Sequence, residues 1–110
     1  MPHSRRANAS APVFAALGDE SRLRLLTRLS SGPLSISRLT EGSGMTRQGV
    51  TKHLRVLSGA GLVRGTRRGK ESLWRLERNR LEEARRSLDL ISRQWDVGLG
   101  KLKRFVEAPD

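Results

Sequence analysis

The side chains whose types and spacing point most clearly to a chemistry lie between positions 46 and 55. At 100° per residue, Val50, Leu54 and Leu57 fall on one stripe of a predicted helix, and polar side chains fall on the opposite face. Glutamine can pair with adenine, arginine and lysine with guanine, and threonine can reach a base edge in a groove that accepts one helix. The pattern predicts a helix that contacts double-stranded DNA, and an ordinary polar surface helix is the alternative. That opposite face carries Gln48, Thr51, Lys52 and Arg55, and the candidate DNA contacts also include Arg47 at the exposed first turn and the N-cap residue Thr46.

The distribution of charge favours the DNA interpretation. The chain has 110 residues, with 22 Lys plus Arg against 11 Asp plus Glu, a net charge of +11. Residues 47–80 hold ten cations and two carboxylates, whereas residues 81–110 hold six of each. An excess concentrated in one segment indicates a binding surface for a polyanion. Within that segment, Arg67, Arg68 and Lys70 are predicted to contact phosphates or the minor groove, with plain solvated turn residues as the alternative.

Helix signals order the first half of the chain. Val13, Phe14 and Leu17 predict a short first helix that ends at Gly18, and Asp19 is a good N-cap for a second helix. A third helix is expected around residues 37–41, followed by a glycine turn and a fourth helix from Thr46 to Gly59 or Ala60. In the second helix, we expect Leu23, Leu25, Leu26 and Leu29 to be buried and Arg22, Arg24 and Arg28 to face solvent.

The second half predicts a hairpin and a long helix. Residues 62–64 and 72–76 are β-prone and flank a basic loop over residues 66–70, which is typical of a wing. Beyond Asn79 the apolar residues form a heptad seam, in which Gly98 and Gly100 predict a break or kink. The seam consists of Leu81, Ala84, Leu88, Ile91, Trp95, Gly98, Leu102 and Phe105.

These elements predict a mainly α fold with a small β-hairpin, a winged helix-turn-helix over residues 12–107. Residues 1–11 are polar and small, which predicts a mobile tail. Hydrophobic residues make up only 35% of the chain, so we expect part of the burial to come from a second copy. The seam residues Leu88, Ile91 and Trp95 are the candidates for that contact.

Several function classes are excluded by what the sequence lacks. The chain has no cysteine, which removes disulfides, thiolate metal sites and thiol nucleophiles. No catalytic triad, carboxylate pair or phosphate-cradling glycine loop is visible, so we predict no enzyme, no metal and no other cofactor. No apolar run is long enough for a membrane span, and the pair Arg5-Arg6 lacks the apolar segment of an export signal. The sequence predicts a cytoplasmic protein with no membrane contact.

Two further residues have alternative interpretations. His53 lies at the edge of the apolar stripe and either packs between helices or contacts DNA. Trp74 shares the strand phase of Ser72 and Leu76, which favours a core position over a stacking platform for bases. Because only four residues are aromatic, recognition of single strands by stacking is poorly supported.

Four segments resemble the ArsR/SmtB family of winged-helix repressors. They are residues 34–39, 46–57, 60–63 and 68–76, and the likeness covers roughly residues 12–107. The resemblance implies a homodimer that binds a palindromic operator, with Arg47, Gln48, Thr51 and Lys52 facing DNA. It also implies pairing through the first and last helices, which places Val13, Phe14, Leu17, Leu88, Ile91, Trp95 and Leu102 at the dimer interface. Residues 91–105 further resemble a metal-independent branch, often encoded beside START-like proteins.

The departures from that family concern its metal sites. Metal-sensing members often carry two cysteines on the third helix, where this chain has Ser35 and Ser37, and others use histidines on the last helix, where this chain has none. Glu82, Glu83 and Asp89 are therefore interpreted as surface charges rather than ligands. Our main hypothesis is a sequence-specific dimeric repressor that uses helix 46–60 and wing 64–75. A non-specific architectural nucleic-acid-binding protein is the alternative, and an adaptor or an enzyme is less favoured.

Overall fold

The computed structural model describes the backbone of residues 2–107 and the side chains of residues 10–107. Within this range the chain folds into five helices and a three-stranded sheet, in the order expected of a winged helix-turn-helix. The elements are α1 (Pro2–Leu17), α2 (Glu20–Leu29), β1 (Leu34–Ser35), α3 (Ile36–Thr40), α4 (Arg47–Gly59), β2 (Val63–Arg68), β3 (Glu71–Leu76) and α5 (Arg78–Glu107).

The hydrophobic core lies where α1, α2, α3 and α4 meet the base of the sheet. Each helix contributes the side chains of one stripe, as its apolar periodicity predicts. Leu62 closes the core between α4 and β2, where its N–H donates to the Leu57 carbonyl at 2.9 Å and its carbonyl accepts from the Glu77 N–H at 2.8 Å. The largest fully buried side chains are Leu25, Leu39, Leu54, Leu57, Leu62, Val13 and Val50.

The sheet is antiparallel, with β3 in the centre between β1 and β2. Val63 is opposite Leu76 and Arg68 is opposite Glu71, so the hairpin is paired along its full length. The predicted loop over residues 66–70 is therefore too long, because the turn consists of Gly69 and Lys70 alone. Gly69 has a φ of +64°, a backbone conformation that glycine adopts without strain. Strand β1 was not predicted from the sequence, and its two residues pair with Leu73 and Trp74.

The expectation of a tail over residues 1–11 requires correction, since α1 begins at Pro2. Alanine, the best helix former, recurs at positions 7, 9 and 11. Pro12 lies inside the helix and removes one backbone hydrogen bond, so packing must support this extension. That packing comes from α5, where the Ser10 hydroxyl lies 3.2 Å from the Ser87 hydroxyl and Ser10 is 3% exposed.

Helix α2 follows the prediction at its cap and differs from it on its faces. Asp19 caps the helix by accepting from the Arg22 N–H at 3.1 Å. Leu23 is 46% exposed, because in a ten-residue helix it lies about 120° away from the stripe of buried leucines. Arg22 is half-buried rather than solvated, and its Nε donates to the Ala16 carbonyl at 2.6 Å, which satisfies the end of α1. Arg24 does face solvent, where it pairs with Glu20.

Helix α5 is continuous over 30 residues, a length of about 45 Å. The predicted break at Gly98 and Gly100 is not observed. Ala84 is the buried residue of this helix, and the apolar residues that follow it are exposed. Over the described residues, no helix combines the length and the apolar character that crossing a bilayer demands.

Candidate nucleic-acid interface

Helix α4 is fixed at its start and along its inner face. The Thr46 hydroxyl accepts a hydrogen bond from the Gly49 N–H at 3.0 Å, the N-cap that the sequence predicts. A Cβ at position 49 would lie 3.3 Å from that hydroxyl oxygen, so glycine leaves room for the cap. Val50, Leu54 and Leu57 are 0% exposed, as the helical projection predicts. The orientation of the outer face is therefore determined by the core.

The outer face of α4 carries the predicted polar side chains. Arg47, Gln48, Lys52 and Arg55 are all exposed. Thr51 is half-buried, and its hydroxyl donates to the Arg47 carbonyl at 2.8 Å, which leaves its methyl group and oxygen lone pairs for an outside partner. Four long side chains with base-reading or phosphate-reading groups thus project from one rigid helix.

The turn between α3 and α4 is held by hydrogen bonds within the turn. The Ser43 hydroxyl donates to the Thr40 carbonyl at 2.7 Å and accepts from the Met45 N–H at 3.0 Å. Gly42 and Gly44 have φ values of +69° and +74°, which only glycine adopts readily. This turn sets the angle at which α4 leaves α3, and hence the direction in which its outer face points.

Arg28 of α2 ties the same turn to the rest of the domain. Its guanidinium donates to the carbonyls of Arg38 at 2.7 Å, Leu39 at 2.8 Å and Glu41 at 3.3 Å. These are the carbonyls that the end of α3 leaves without a helical partner. The prediction that Arg28 faces solvent was wrong, because its partners lie ten to thirteen residues away and no local pattern reveals them. Arg28 is a positioning residue for the α3–α4 pair.

The wing supplies a second group of cations. Arg67, Arg68 and Lys70 surround the turn at the tip of the β2–β3 hairpin and are exposed. The Arg67 Nε makes a long contact of 3.4 Å with the Gly69 carbonyl, so its guanidinium remains largely free. A basic hairpin tip beside an exposed helix can reach the DNA backbone while the helix occupies a groove.

The structure adds Arg64, which the sequence analysis did not single out, to the candidate residues of this interface. It is exposed on β2, and alternation along the strand puts it on the same face as Arg68 and, across the ladder, Arg75. A strand predicted over the whole of β2 would have put Arg64 and Arg68 on one face, but the strand expected from the sequence ended at residue 64.

The ion pairs show which cations are free to bind a partner. Six ion pairs occur in the part of the chain whose side chains are described, and Arg75 and Arg80 belong to them through Glu77 and Glu83. The cations of α4, of β2 and of the wing tip belong to none of the six. We call these seven residues the basic face: Arg47, Lys52, Arg55, Arg64, Arg67, Arg68 and Lys70.

His53 and Trp74 are both half-buried. The pKa of Asp19 is held below its usual range first by the hydrogen bond from the Arg22 N–H, and His53 is among the smaller causes. His53 therefore lies near the start of α2, which supports the helix-packing interpretation. Trp74 packs against the core and over Gly65, where a Cβ would be 3.1 Å from its ring, as expected of a core residue.

The chain is similar to known regulators in sequence and structure. A model of a helix-turn-helix domain matches residues 17–66. The regulator NmtR of Mycobacterium tuberculosis is 41% identical over 73 residues, 66% of this chain and 61% of NmtR. The regulator Rv2034 of the same species is 34% identical over 96 residues, 87% of each chain.

Solved structures agree with these relatives. An ArsR-like transcriptional regulator from Rhodococcus sp. RHA1 superposes with a TM-score of 0.80 at 35% identity, covering 94% of this chain and 97% of that one. The chain belongs to the ArsR family of winged helix-turn-helix DNA-binding transcriptional regulators. Another neighbour is the homodimeric winged helix-turn-helix DNA-binding domain of Mb0332 from Mycobacterium bovis, with a TM-score of 0.65, 25% identity and coverage of 88% and 87%.

In this ArsR-family chain, two serines lie at the start of α3, where metal-sensing members often carry cysteines. Ser35 is 8% exposed and caps α3, where its hydroxyl accepts from the Arg38 N–H at 3.2 Å. Ser37 is exposed. Between residues 10 and 107, no three histidine or carboxylate side chains come together in a group that could hold a metal ion.

The predicted dimer residues of this ArsR-family chain divide into two sets. Val13 is 1% exposed within a single chain, so it packs in the core and offers almost no surface to a partner. Phe14 and Leu17 are half-buried against the same core and retain some exposed surface. On α5, Leu88, Ile91, Trp95 and Leu102 are 53%, 58%, 66% and 57% exposed, and hence are available to a partner.

Proposed function

We propose that this protein is a homodimeric repressor that recognises a palindromic operator, with one α4 helix in the major groove of each half-site. The observation that carries the proposal is the basic face, seven exposed cations outside the ion pairs of the described side chains. Three of them lie with Gln48 on α4, a helix that the core orients, and four lie on the β2–β3 hairpin. In the complex, Arg47, Gln48, Thr51, Lys52 and Arg55 meet base edges and nearby phosphates. Thr46, the N-cap of α4, lies close to the DNA backbone. The wing cations Arg67, Arg68 and Lys70 bind the phosphates or the minor groove.

Repression and dimerisation have support from neighbouring proteins. The domain of Mb0332 is homodimeric, and BigR from Xylella fastidiosa, 26% identical to this chain, is a transcriptional repressor. A dimer with two-fold symmetry presents two α4 helices and hence favours two-fold symmetric DNA. A repressor of chromosomal genes acts in the cytoplasm, where we place this protein.

The experiment that tests this function is selection of bound duplexes from a random DNA pool. Affinities for the selected and scrambled sequences are then compared at physiological salt. We expect an enriched palindrome with half-sites about one helical turn, or a multiple of it, apart. Absence of enrichment, with affinity that falls steeply as salt rises, would instead establish the architectural alternative.

Two substitutions separate base reading from phosphate binding. Gln48→Ala is expected to reduce the preference for the selected sequence over a scrambled one, whereas Arg67→Ala is expected to weaken binding to both equally. Arg24→Ala is the matched control, because it removes an exposed arginine that pairs with Glu20 outside the basic face. Equal effects of Gln48→Ala and Arg67→Ala on both duplexes would overturn the proposed division of roles.

A further inference from the structure

Among the residues whose side chains the structure describes, the second half of α5 has no partner that buries its apolar face. Ala84 is buried, and Ser87 is the position at which α1 makes its hydrogen bond to α5. Beyond it, each large residue of the heptad seam is more than half exposed, from Leu88 at 53% to Phe105 at 82%. The charged residues between positions 88 and 105 all lie off the seam, so the exposed stripe is entirely apolar apart from Gly98.

Gly98 interrupts this stripe without a reason inside the chain. A glycine in a helix costs about 1 kcal/mol relative to alanine. A Cβ built at position 98 would meet nothing within 4 Å, and its φ is not positive, so neither space nor backbone conformation requires glycine. A close approach by a second molecule is a remaining reason for a glycine on an apolar seam.

The exposed part of the seam, from Leu88 to Phe105, is symmetric about the midpoint between Asp96 and Val97. Three pairs of residues lie at equal distances on either side of that point: Trp95 with Gly98, Ile91 with Leu102, and Leu88 with Phe105. When two copies of a helix pack antiparallel about a two-fold axis, each residue lies opposite its counterpart across the axis. In this register Ile91 meets Leu102, Leu88 meets Phe105, and the largest side chain of the seam meets the smallest.

We propose that a second copy of this chain packs its α5 antiparallel on this seam, with the two-fold axis between Asp96 and Val97, so that each Trp95 indole lies over the partner's Gly98. The proposal rests on the proposed homodimer and specifies its register. It accounts both for a tryptophan that is 66% exposed in one chain and for a glycine on an apolar seam. A parallel pairing in register would instead stack Trp95 on its own counterpart and leave a hollow at the two glycines.

Engineered cysteines test the register directly, because the natural chain has none. Ile91→Cys and Leu102→Cys are made in separate chains, one of them tagged, and oxidised alone and after mixing. We expect a disulfide between the two variants in the mixture and none in either variant alone, since like positions lie about 16 Å apart in this register. Cross-linking of the single variants would overturn the antiparallel arrangement. A stable dimer that fails to cross-link in the mixture would overturn the register alone, whereas a monomeric wild-type protein would overturn the homodimer as well.

A size exchange tests the contact between Trp95 and Gly98. Gly98→Leu should weaken dimerisation about tenfold or more, because the added side chain competes with the partner's indole for the same space. Adding Trp95→Ala to Gly98→Leu should restore much of the lost affinity, as measured by sedimentation equilibrium. Gly100→Ala is the control, since position 100 lies off the seam and should leave dimerisation unchanged. The contact would be overturned if Gly98→Leu dimerised with the affinity of the wild type. It would also be overturned if the double variant dimerised no more tightly than Trp95→Ala alone.

Discussion

Helix α4 and the second half of α5 are both amphipathic, but only α4 has its apolar face buried by the rest of the chain. In α4 the apolar stripe is fully buried by the same chain, whereas in α5 the large seam residues from Leu88 to Phe105 are more than half exposed. Helix α4, the proposed DNA-binding helix, is therefore fully packed within one chain, and its polar face is oriented before any partner binds. The last helix is incomplete until a partner covers it.

The charges of the two regions follow the same division. Residues 47–80 carry ten cations and two carboxylates, and residues 81–110 carry six of each. A strongly basic surface repels its own copy and attracts a polyanion, while a neutral helix with an apolar seam can pack against a second copy at little electrostatic cost. The two regions thus select different partners.

The largest expected effect is a loss of stability when a buried side chain of α4 is truncated. Leu54→Ala should lower the free energy of unfolding by about 2–5 kcal/mol, because it opens a cavity at a position that is fully buried. Leu102→Ala should change the stability of the isolated chain by about 0.5 kcal/mol or less, because this residue is 57% exposed. Urea unfolding at low and high protein concentration measures both effects.

Leu102→Ala should show its cost only at the concentrations where the dimer forms. If it destabilised the chain as much as Leu54→Ala at low concentration, the second half of α5 would be packed within its own chain, and the contrast between the two helices would fail.

The second effect tests how firmly α4 is held. Arg28→Met should lower stability by about 1–3 kcal/mol, because three carbonyls at the end of α3 lose a charged donor. It should also weaken operator binding, although Arg28 is not part of the basic face. Arg24→Met, one helical turn away in α2 and exposed, is the control. A loss of DNA binding that Arg28→Lys restores without restoring stability would show that Arg28 acts through its charge rather than by positioning the turn.

Local signals predicted much of this molecule. Asp19 and Thr46 cap the helices they were expected to cap, and the projection of α4 separated its buried and exposed residues correctly. These features depend on residues within one or two helical turns of each other, so a pattern in the sequence can reveal them.

The features that the sequence did not reveal depend on distant partners. The two residues of β1 become a strand only because β3 lies beside them, about forty positions later in the chain. The positions of Arg22 and Arg28 in the sequence are typical of a solvated helix face. In the structure both donate hydrogen bonds to carbonyls at the ends of neighbouring helices, which the sequence pattern does not reveal. The extension of α1 to Pro2 likewise depends on contact with α5. The proposed base contacts of α4 are of the same kind, because their partner is another molecule.

A smaller effect concerns the cap of α4. Thr46→Ala should cost about 1 kcal/mol, because the Gly49 N–H loses its acceptor. Thr46→Ser keeps the hydroxyl and serves as the control. We expect Thr46→Ala to weaken DNA binding more than Thr46→Ser when both are measured by fluorescence anisotropy on the selected operator. Equal affinities would mean that the core alone fixes the start of α4.

The smallest effect is a pH dependence at the corresponding cap of α2. Since the Arg22 N–H lowers the pKa of Asp19 in the folded state, the carboxylate stabilises the fold above its unfolded pKa of about 3.9. That contribution is lost as the pH falls from about 4 through the lower folded pKa. Asp19→Asn keeps an acceptor for the same N–H but does not titrate, so its stability should fall less steeply in this window than that of the wild type. Chemical unfolding at pH 5 and at lower pH measures the difference, and because all other carboxyls titrate alike in both proteins, parallel curves would show that Asp19 gains nothing from its charge.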